Sequence, residues 1–249
     1  ALRFSATLPV VVPIYTMALV KPDASRIAKI KVIGVGGGGG NAVASMVEGN
    51  HIGGVEFIVV NTDAQVLLDN SAATKLQIGE KLTRGLGVGG NPEIGAQAAE
   101  ESVEKIKELL VDSDMVFIAA GMGGGTGTGA APVVSQIAKE SGAVVIGVVT
   151  MPFEAERARI DKAEFGLQEL REVTDTTIVL DNNRLVDIAG QLPIEQAFAV
   201  ANELVSTMVK GIVETITLPS LINLDYADVS AIMKDGGVAV IGIGEADTQ

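Results

Sequence analysis

The sequence predicts a doubly wound α/β fold on a parallel sheet, and three observations carry that prediction. From Ala28 onward, short Val/Ile-rich runs alternate with segments of helical periodicity. Most of these runs are apolar throughout instead of alternating, as expected of strands covered on both faces. Two of them end in glycine clusters, Gly36–Gly40 and Gly121–Gly129, each of which leads into a helix.

Residues 1–28 stand apart from this pattern. Leu8 to Val20 is apolar but holds Pro9 and Pro13, and it falls short of the ~20 apolar residues of a membrane-spanning helix. The stretch reads either as a processed or targeting remnant or as an extension upstream of a natural start at Met17; both readings leave it a poorly ordered extension outside the fold.

The expected strands are Ile30–Val35, Glu56–Asn61, Lys75–Ile78, Met115–Ala120, Val144–Val149 and Thr177–Leu180. A single helix is expected over Pro92–Val111, with Pro near its first turn and Ile106, Leu109 and Leu110 at helical spacing. With the common strand order 3-2-1-4-5-6, the first and fourth strands are neighbours, and the crevice beyond their C-terminal ends is the ligand site. Ile194 to Thr217 is the longest helical pattern, striped by Ala197, Ala201, Leu204, Val205, Met208, Ile212, Val213 and Ile216. Its charge pattern is too sparse for a coiled coil.

Composition narrows the function. The chain has 249 residues, 47% of them hydrophobic, a net charge of −13 and no Cys. No basic block is present to follow a nucleic-acid backbone, and thiolate metal sites and Cys nucleophiles are excluded. The single histidine, His51, sits in a loop-like Gly49–Gly53 stretch with no second His to share a metal, so no metal site is expected.

The two glycine clusters carry the chemistry. Both precede helix N-termini, the first helix being led in by Asn41 and the second starting near Thr128. There, unpaired N–H groups and the positive end of the dipole favour an anion. Without Cβ atoms, successive amides can close around phosphate oxygens. Gly34-Val-Gly36-Gly-Gly-Gly39 satisfies G-x-G-x-x-G, with Asp63 after the second strand, so a NAD-dependent oxidoreductase is one reading. A plain tight turn fits that loop as well. The second loop is more specific, because a bare turn needs one or two glycines and gains nothing from Thr126 and Thr128. Neither loop has the Lys of a P-loop, so phosphates must be held by amides and hydroxyls, with Mg²⁺ riding on the phosphates.

Gly124-Gly-Thr-Gly-Thr-Gly129, together with Asn61-Thr-Asp-Ala-Gln65, Gly87-Val-Gly-Gly-Asn-Pro92 and Asn223-Leu-Asp-Tyr-Ala-Asp-Val229, resembles the tubulin/FtsZ family in its prokaryotic cell-division branch. The match runs from about Ile30 to Gly244 with the motifs in order; eukaryotic tubulin is less similar. The resemblance implies a cytoplasmic GTPase at the division site that binds GTP/GDP with Mg²⁺ and polymerises head-to-tail. It further implies division-ring adaptors that engage a C-terminal tail absent from this sequence, without direct membrane insertion or nucleic-acid binding.

Carried over by motif, the resemblance places Gly37, Gly38 and Asn41 in the first loop and Gly121, Gly123, Gly124, Gly125, Thr126, Gly127, Thr128 and Gly129 in the phosphate loop. Asn61, Asp63, Gly87 and Gly89 fall beside the phosphates and ribose. Asn182 and Asn202 match the positions that read the guanine edge, and Phe198 the ring that stacks on it. On the residues alone Phe198 reads as a core side chain and Asn202 as a satisfied polar position. Pro152-Phe-Glu-Ala-Glu-Arg-Ala-Arg159 departs from the family's wording: it lacks a glycine and is shorter. Counting back from Ala163 and Gly166 favours Arg159 beside Glu156, with Arg157 the alternative and a solvated helix charge a third reading for either.

Residues 29–193 are thus expected to form the GTP-binding domain and 194–218 the central connecting helix. Residues 219–249 would supply a catalytic loop and the start of a truncated second domain, with a helix over Tyr226–Lys234 and a strand over Gly237–Ile243. Asn223, Asp225 and Asp228 are the expected hydrolytic residues; for the two acids an N-cap and a first-turn acid is the structural alternative. If Asn202 touches guanine, the roughly two dozen intervening residues at ~1.5 Å each put these acids ~30 Å from the chain's own phosphates. They would then serve the neighbouring subunit. A GTP-binding scaffold that does not hydrolyse is the remaining alternative.

Overall fold

The computed structural model describes residues 28–49, 52–184, 193–217, 226–234 and 236–239. His51, Asn223, Asp225 and the N-terminal extension lie outside the described residues.

Seven parallel strands form one sheet in the order β3-β2-β1-β4-β5-β6-β7. They are β1 (Ile30–Val35), β2 (Val55–Asn61), β3 (Thr74–Gln77), β4 (Met115–Gly121), β5 (Val144–Met151), β6 (Thr176–Asp181) and β7 (Gly237–Ala239). The first six follow the predicted order. β7, at the position expected to open a second domain, pairs in parallel with β6, Thr176 opposite Gly237.

β4 shows why these runs are apolar throughout. Met115, Phe117 and Ala119 face one core, Val116, Ile118 and Ala120 the other, and all six are buried. Successive strand residues point to opposite faces, so a strand with helices on both sides has no polar side to spare. One face is covered by α4 (Pro92–Glu101), α5 (Val103–Leu110), α6 (Thr126–Glu140) and α7 (Ile160–Val173). The other is covered by α1 (Gly36–Gly49), α8 (Ile194–Thr217) and α9 (Tyr226–Met233). Two short helices, α2 (Ala64–Asp69) and α3 (Glu80–Thr83), complete the edge beside β3.

Ala197, Ala201, Val205, Met208, Val209 and Val213 of α8 are buried, so most of the α8 stripe is spent on this sheet. At ~25 cal/mol per Å² of apolar area, a stripe of this length accounts for much of what holds so long a helix in place.

Two expected boundaries shift. The helix predicted over Pro92–Val111 is broken at Ser102, whose backbone leaves helical geometry (φ −107°, ψ 15°) while its Oγ accepts a hydrogen bond from the Gly79 amide at 3.0 Å. And α1 begins at Gly36, so the five glycines form its first turns instead of a loop ahead of Asn41. Glycine disfavours helix by about 1 kcal/mol per residue; here close backbone approach requires it. A Cβ on Gly38 would stand 3.0 Å from the Cα of Gly121, and one on Gly39 would collide with the Ala119 carbonyl.

Candidate nucleotide site

The register puts Val35 beside Ala120, so β1 and β4 deliver their glycine segments side by side at the C-terminal edge of the sheet. Here lies a cleft of about 920 Å³, within the range of small-ligand sites. It is lined by Gly37, Gly38 and Asn41 of α1 and by Gly121, Gly124, Gly125, Thr126 and Gly127 of the second loop. α6 has no side-chain cap, and neither α1 nor α6 carries an acid in its first turn. Two helix N-termini without first-turn acids thus meet one space, as an anion site requires.

Gly123, Thr128 and Gly129 are not among the residues that line the cleft. They build the loop from behind. The Gly123 amide donates to Thr128 Oγ1 at 2.9 Å, with Gly123 at φ +93° and Thr128 buried. A Cβ on Gly129 would enter the Pro92 carbonyl of α4. Thr126 lines the cleft, and its hydroxyl is held 2.9 Å from that of Thr62, which motif matching quoted without assigning it a role.

Asn61 and Asp63 form the wall at the end of β2. Asn61 Oδ1 accepts from the Thr62 amide at 2.8 Å, and Asp63 Oδ1 caps α2 by accepting from the amides of Gln65 and Val66 at 2.9 and 3.2 Å. Beside it runs Gly87–Gly90, all of it on the cleft, where a Cβ on Gly87 would stand 3.7 Å from Asp63 Oδ2. The Gly90 carbonyl accepts from Lys162 Nζ at 2.7 Å, which ties this loop to α7.

At the far end the cleft changes character. Asn182, Phe198 and Asn202 line it. Asn182 is 2% exposed, and among the described residues its Oδ1 has no hydrogen-bond partner, a need that buried polar atoms rarely leave unmet. Phe198 is 39% exposed, which is not the burial of a core side chain. Between the two ends stand Glu156 and Arg159, Arg159 Nη1 donating to Glu156 Oε2 at 2.6 Å. Both line the cleft and Arg157 does not.

Among the described residues no group of three or more His, Asp or Glu is placed to hold a metal, and no helix is long and apolar enough to cross a membrane. Asp228 sits on α9, whose Tyr226 hydroxyl donates to the Asp114 carbonyl at 2.7 Å. That contact lies at the start of β4, the end of the sheet away from the cleft.

A parallel sheet that presents two abutting glycine segments and a distal aromatic-amide pocket defines a nucleotide-binding α/β domain of the tubulin-like kind. The model of the tubulin/FtsZ family, GTPase domain, matches residues 29–190, and the chain belongs to that family. Among curated proteins it is 54% identical to cell division protein FtsZ 2 of Methanocaldococcus jannaschii over 221 residues, covering 89% of this chain and 58% of the relative. It is 55% identical to cell division protein FtsZ 1 of Thermococcus kodakarensis, covering 89% and 60%. The chain therefore spans somewhat over half the length of these relatives. Among solved structures, an empty FtsZ dimer from M. jannaschii matches with TM-score 0.81 and 51% identity over 85% of this chain and 62% of that one.

Proposed function

We propose that this chain is the nucleotide-binding part of a filament-forming GTPase of cell division. GTP lies with its phosphates between the α1 and α6 N-termini, its ribose near Glu156, and its base between Phe198, Asn182 and Asn202. The observation that carries this reading is the pairing of the two glycine segments around one cleft with a buried, partnerless Asn182 oxygen at its other end. Amides supply what the phosphates need, and an amide side chain offers the donor and acceptor that a guanine edge requires.

Mg²⁺ fits this site as a phosphate-bound ion. The cleft offers hard oxygen donors in Asp63 and Thr126 but no cage, and the ion would neutralise charge on the terminal phosphates. Arg159 adds the positive charge that an acidic chain otherwise lacks here.

Hydrolysis is completed across a subunit contact, with Asp225, Asp228 and Asn223 acting on the phosphate of the next copy. A head-to-tail contact of this kind propagates into a filament. Self-association is supported by the M. jannaschii FtsZ relative solved as a dimer, and the division-site role by the named relatives. Adaptors would engage parts of the protein beyond this chain. The reading is tested by light scattering and phosphate release on the full-length protein with GTP, GDP, ATP and NAD. Scattering and phosphate release are expected with GTP alone; equal binding of NAD and GTP would return the site to the oxidoreductase reading.

A further inference from the structure

The turn between β5 and α7 carries an aromatic side chain that the proposed mechanism does not use. Phe153 is buried, at 6% exposure, and its ring meets Phe198 edge-on, with centroids 5.1 Å apart and planes at 74°. We propose that Phe153 is the positioning residue for the base site: it fixes the plane of the Phe198 ring and thereby sets the affinity for the base, not for the phosphates. This rests on the reading of Phe198 as the base-stacking ring.

Three observations carry the inference. Phe198 projects from α8 onto the cleft and is 39% exposed, so its ring has fewer neighbours than a core ring to select one rotamer. The edge-on contact supplies that selection, since the positive edge of one ring prefers the negative face of another. Phe153 is itself held from two sides. Its amide donates to Glu156 Oε1 at 3.1 Å, and the next amide, of Glu154, donates to Asn183 Oδ1 at 2.8 Å.

Those anchors place the turn between the two ends of the cleft. Asn183 follows the base-end residue Asn182, while the other oxygen of Glu156 takes Arg159, and the Arg159 backbone packs so closely on Gly123 that a Cβ there would stand 2.9 Å from its carbonyl oxygen. A single turn thus braces the base ring against the phosphate loop.

The test compares GTP with ribose 5′-triphosphate, which keeps sugar and phosphates but has no base, on the full-length protein. In Phe153→Ala the Kd for GTP is expected to rise about three- to tenfold, while that for ribose triphosphate stays within twofold. Phe153→Leu keeps apolar volume and lacks the ring; it should show the same selective loss to a smaller degree, and it carries the comparison if the Ala variant does not fold. Equal losses for both probes, or an unchanged Kd for GTP, would overturn the positioning role. If the wild-type protein binds both probes equally, the base site itself is wrong, a failure distinct from that of Phe153.

Discussion

Gly36 and Gly127 touch backbone to backbone: a Cβ on Gly36, which sits at φ +72°, would stand 2.6 Å from the Gly127 nitrogen. The start of α1 and the start of α6 are therefore one packed unit, and glycines in it divide into two kinds. A Cβ on Gly127 would meet the carbonyls of Gly121 and Val35 at 2.7 and 3.2 Å, whereas a Cβ on Gly37 or Gly124 would meet nothing within 4 Å.

The first prediction follows from that division. Gly127→Val should abolish GTP binding and also lower stability, because its side chain would drive α6 away from the ends of β4 and β1 at Gly121 and Val35. Gly37→Ala and Gly124→Ala should keep the melting temperature of the nucleotide-free protein and weaken GTP at least tenfold, because the space they fill is the ligand's. Calorimetry and thermal melts decide; undiminished GTP affinity in both Ala variants would mean that the phosphates lie elsewhere.

Asn182 gives the second. Its Oδ1 is buried on the cleft and accepts no hydrogen bond among the described residues, so it is available to a ligand donor. Asn182→Ala should leave the melting temperature of the free protein nearly unchanged and abolish most of the stabilisation that saturating GTP confers. A free protein strongly destabilised by the substitution would assign Asn182 to the fold instead.

The third separates the two arginines. Arg159 pairs with Glu156 at 2.6 Å, and the Arg159 side chain is 59% exposed against 16% for Glu156, so solvent screens the cationic end of the pair. Arg159→Ala should cost little stability while weakening GTP about tenfold, the loss of one charge-assisted contact. Arg157→Ala should do neither. Titration of both variants with GTP checks the assignment.

Tyr226 supplies a pH dependence. Burial chiefly, then the nearby Asp114 and Asp175, raises its pKa above the ordinary 10.0, against a lowering by its Ser230 hydrogen bond. The folded state therefore holds the proton longer than the unfolded chain. The contribution is complete below pH 10, where both states are neutral, and is lost as pH climbs from there through the raised folded value. The stability difference between wild type and Tyr226→Phe, measured by denaturant unfolding, should be constant below pH 10 and shrink above it; a difference that stays flat to pH 11 would contradict the assigned environment.

Much of the fold was legible because its signals are local. Short apolar runs such as Met115–Ala120, bounded by turn residues and alternating with helical segments, read as strands between two helical layers, and the paired glycine segments locate the cleft. What the sequence hid depends on distant partners. The break at Ser102 is tied to Gly79, and the glycine-built first turn of α1 relies on β4 at Ala119 and Gly121. Phe153 reads as an ordinary loop apolar until Phe198 stands beside it. Motif matching collected the glycines but did not separate those that face the cleft, such as Gly124, from those that pack behind it, such as Gly129.

The last prediction concerns where hydrolysis is completed. Asp228 is exposed on α9, and Tyr226 of the same helix is bonded to Asp114 at the start of β4. Gly121, on the cleft, ends that strand. Seven residues of β4 at ~3.3 Å each separate the two by roughly 20 Å. With GTP placed in the cleft as proposed, a gap of that size is too long for Asp228 to act on the nucleotide of its own chain. Delivered by a head-to-tail contact, it would meet the terminal phosphate of the next copy, where a carboxylate can orient and polarise the attacking water. In the full-length protein, Asp228→Asn should therefore keep GTP affinity within about twofold and lose turnover by at least a hundredfold, the scale of one general base. Mixing the variant with wild type should lower the activity of the wild-type copies, since each variant subunit spoils a neighbour's site. Wild-type activity per molecule should also rise steeply with protein concentration and vanish below the concentration at which light scattering appears. Turnover that stays constant on dilution past that point would show that one chain holds a complete site and that the shared-site assignment of Asp228 is wrong.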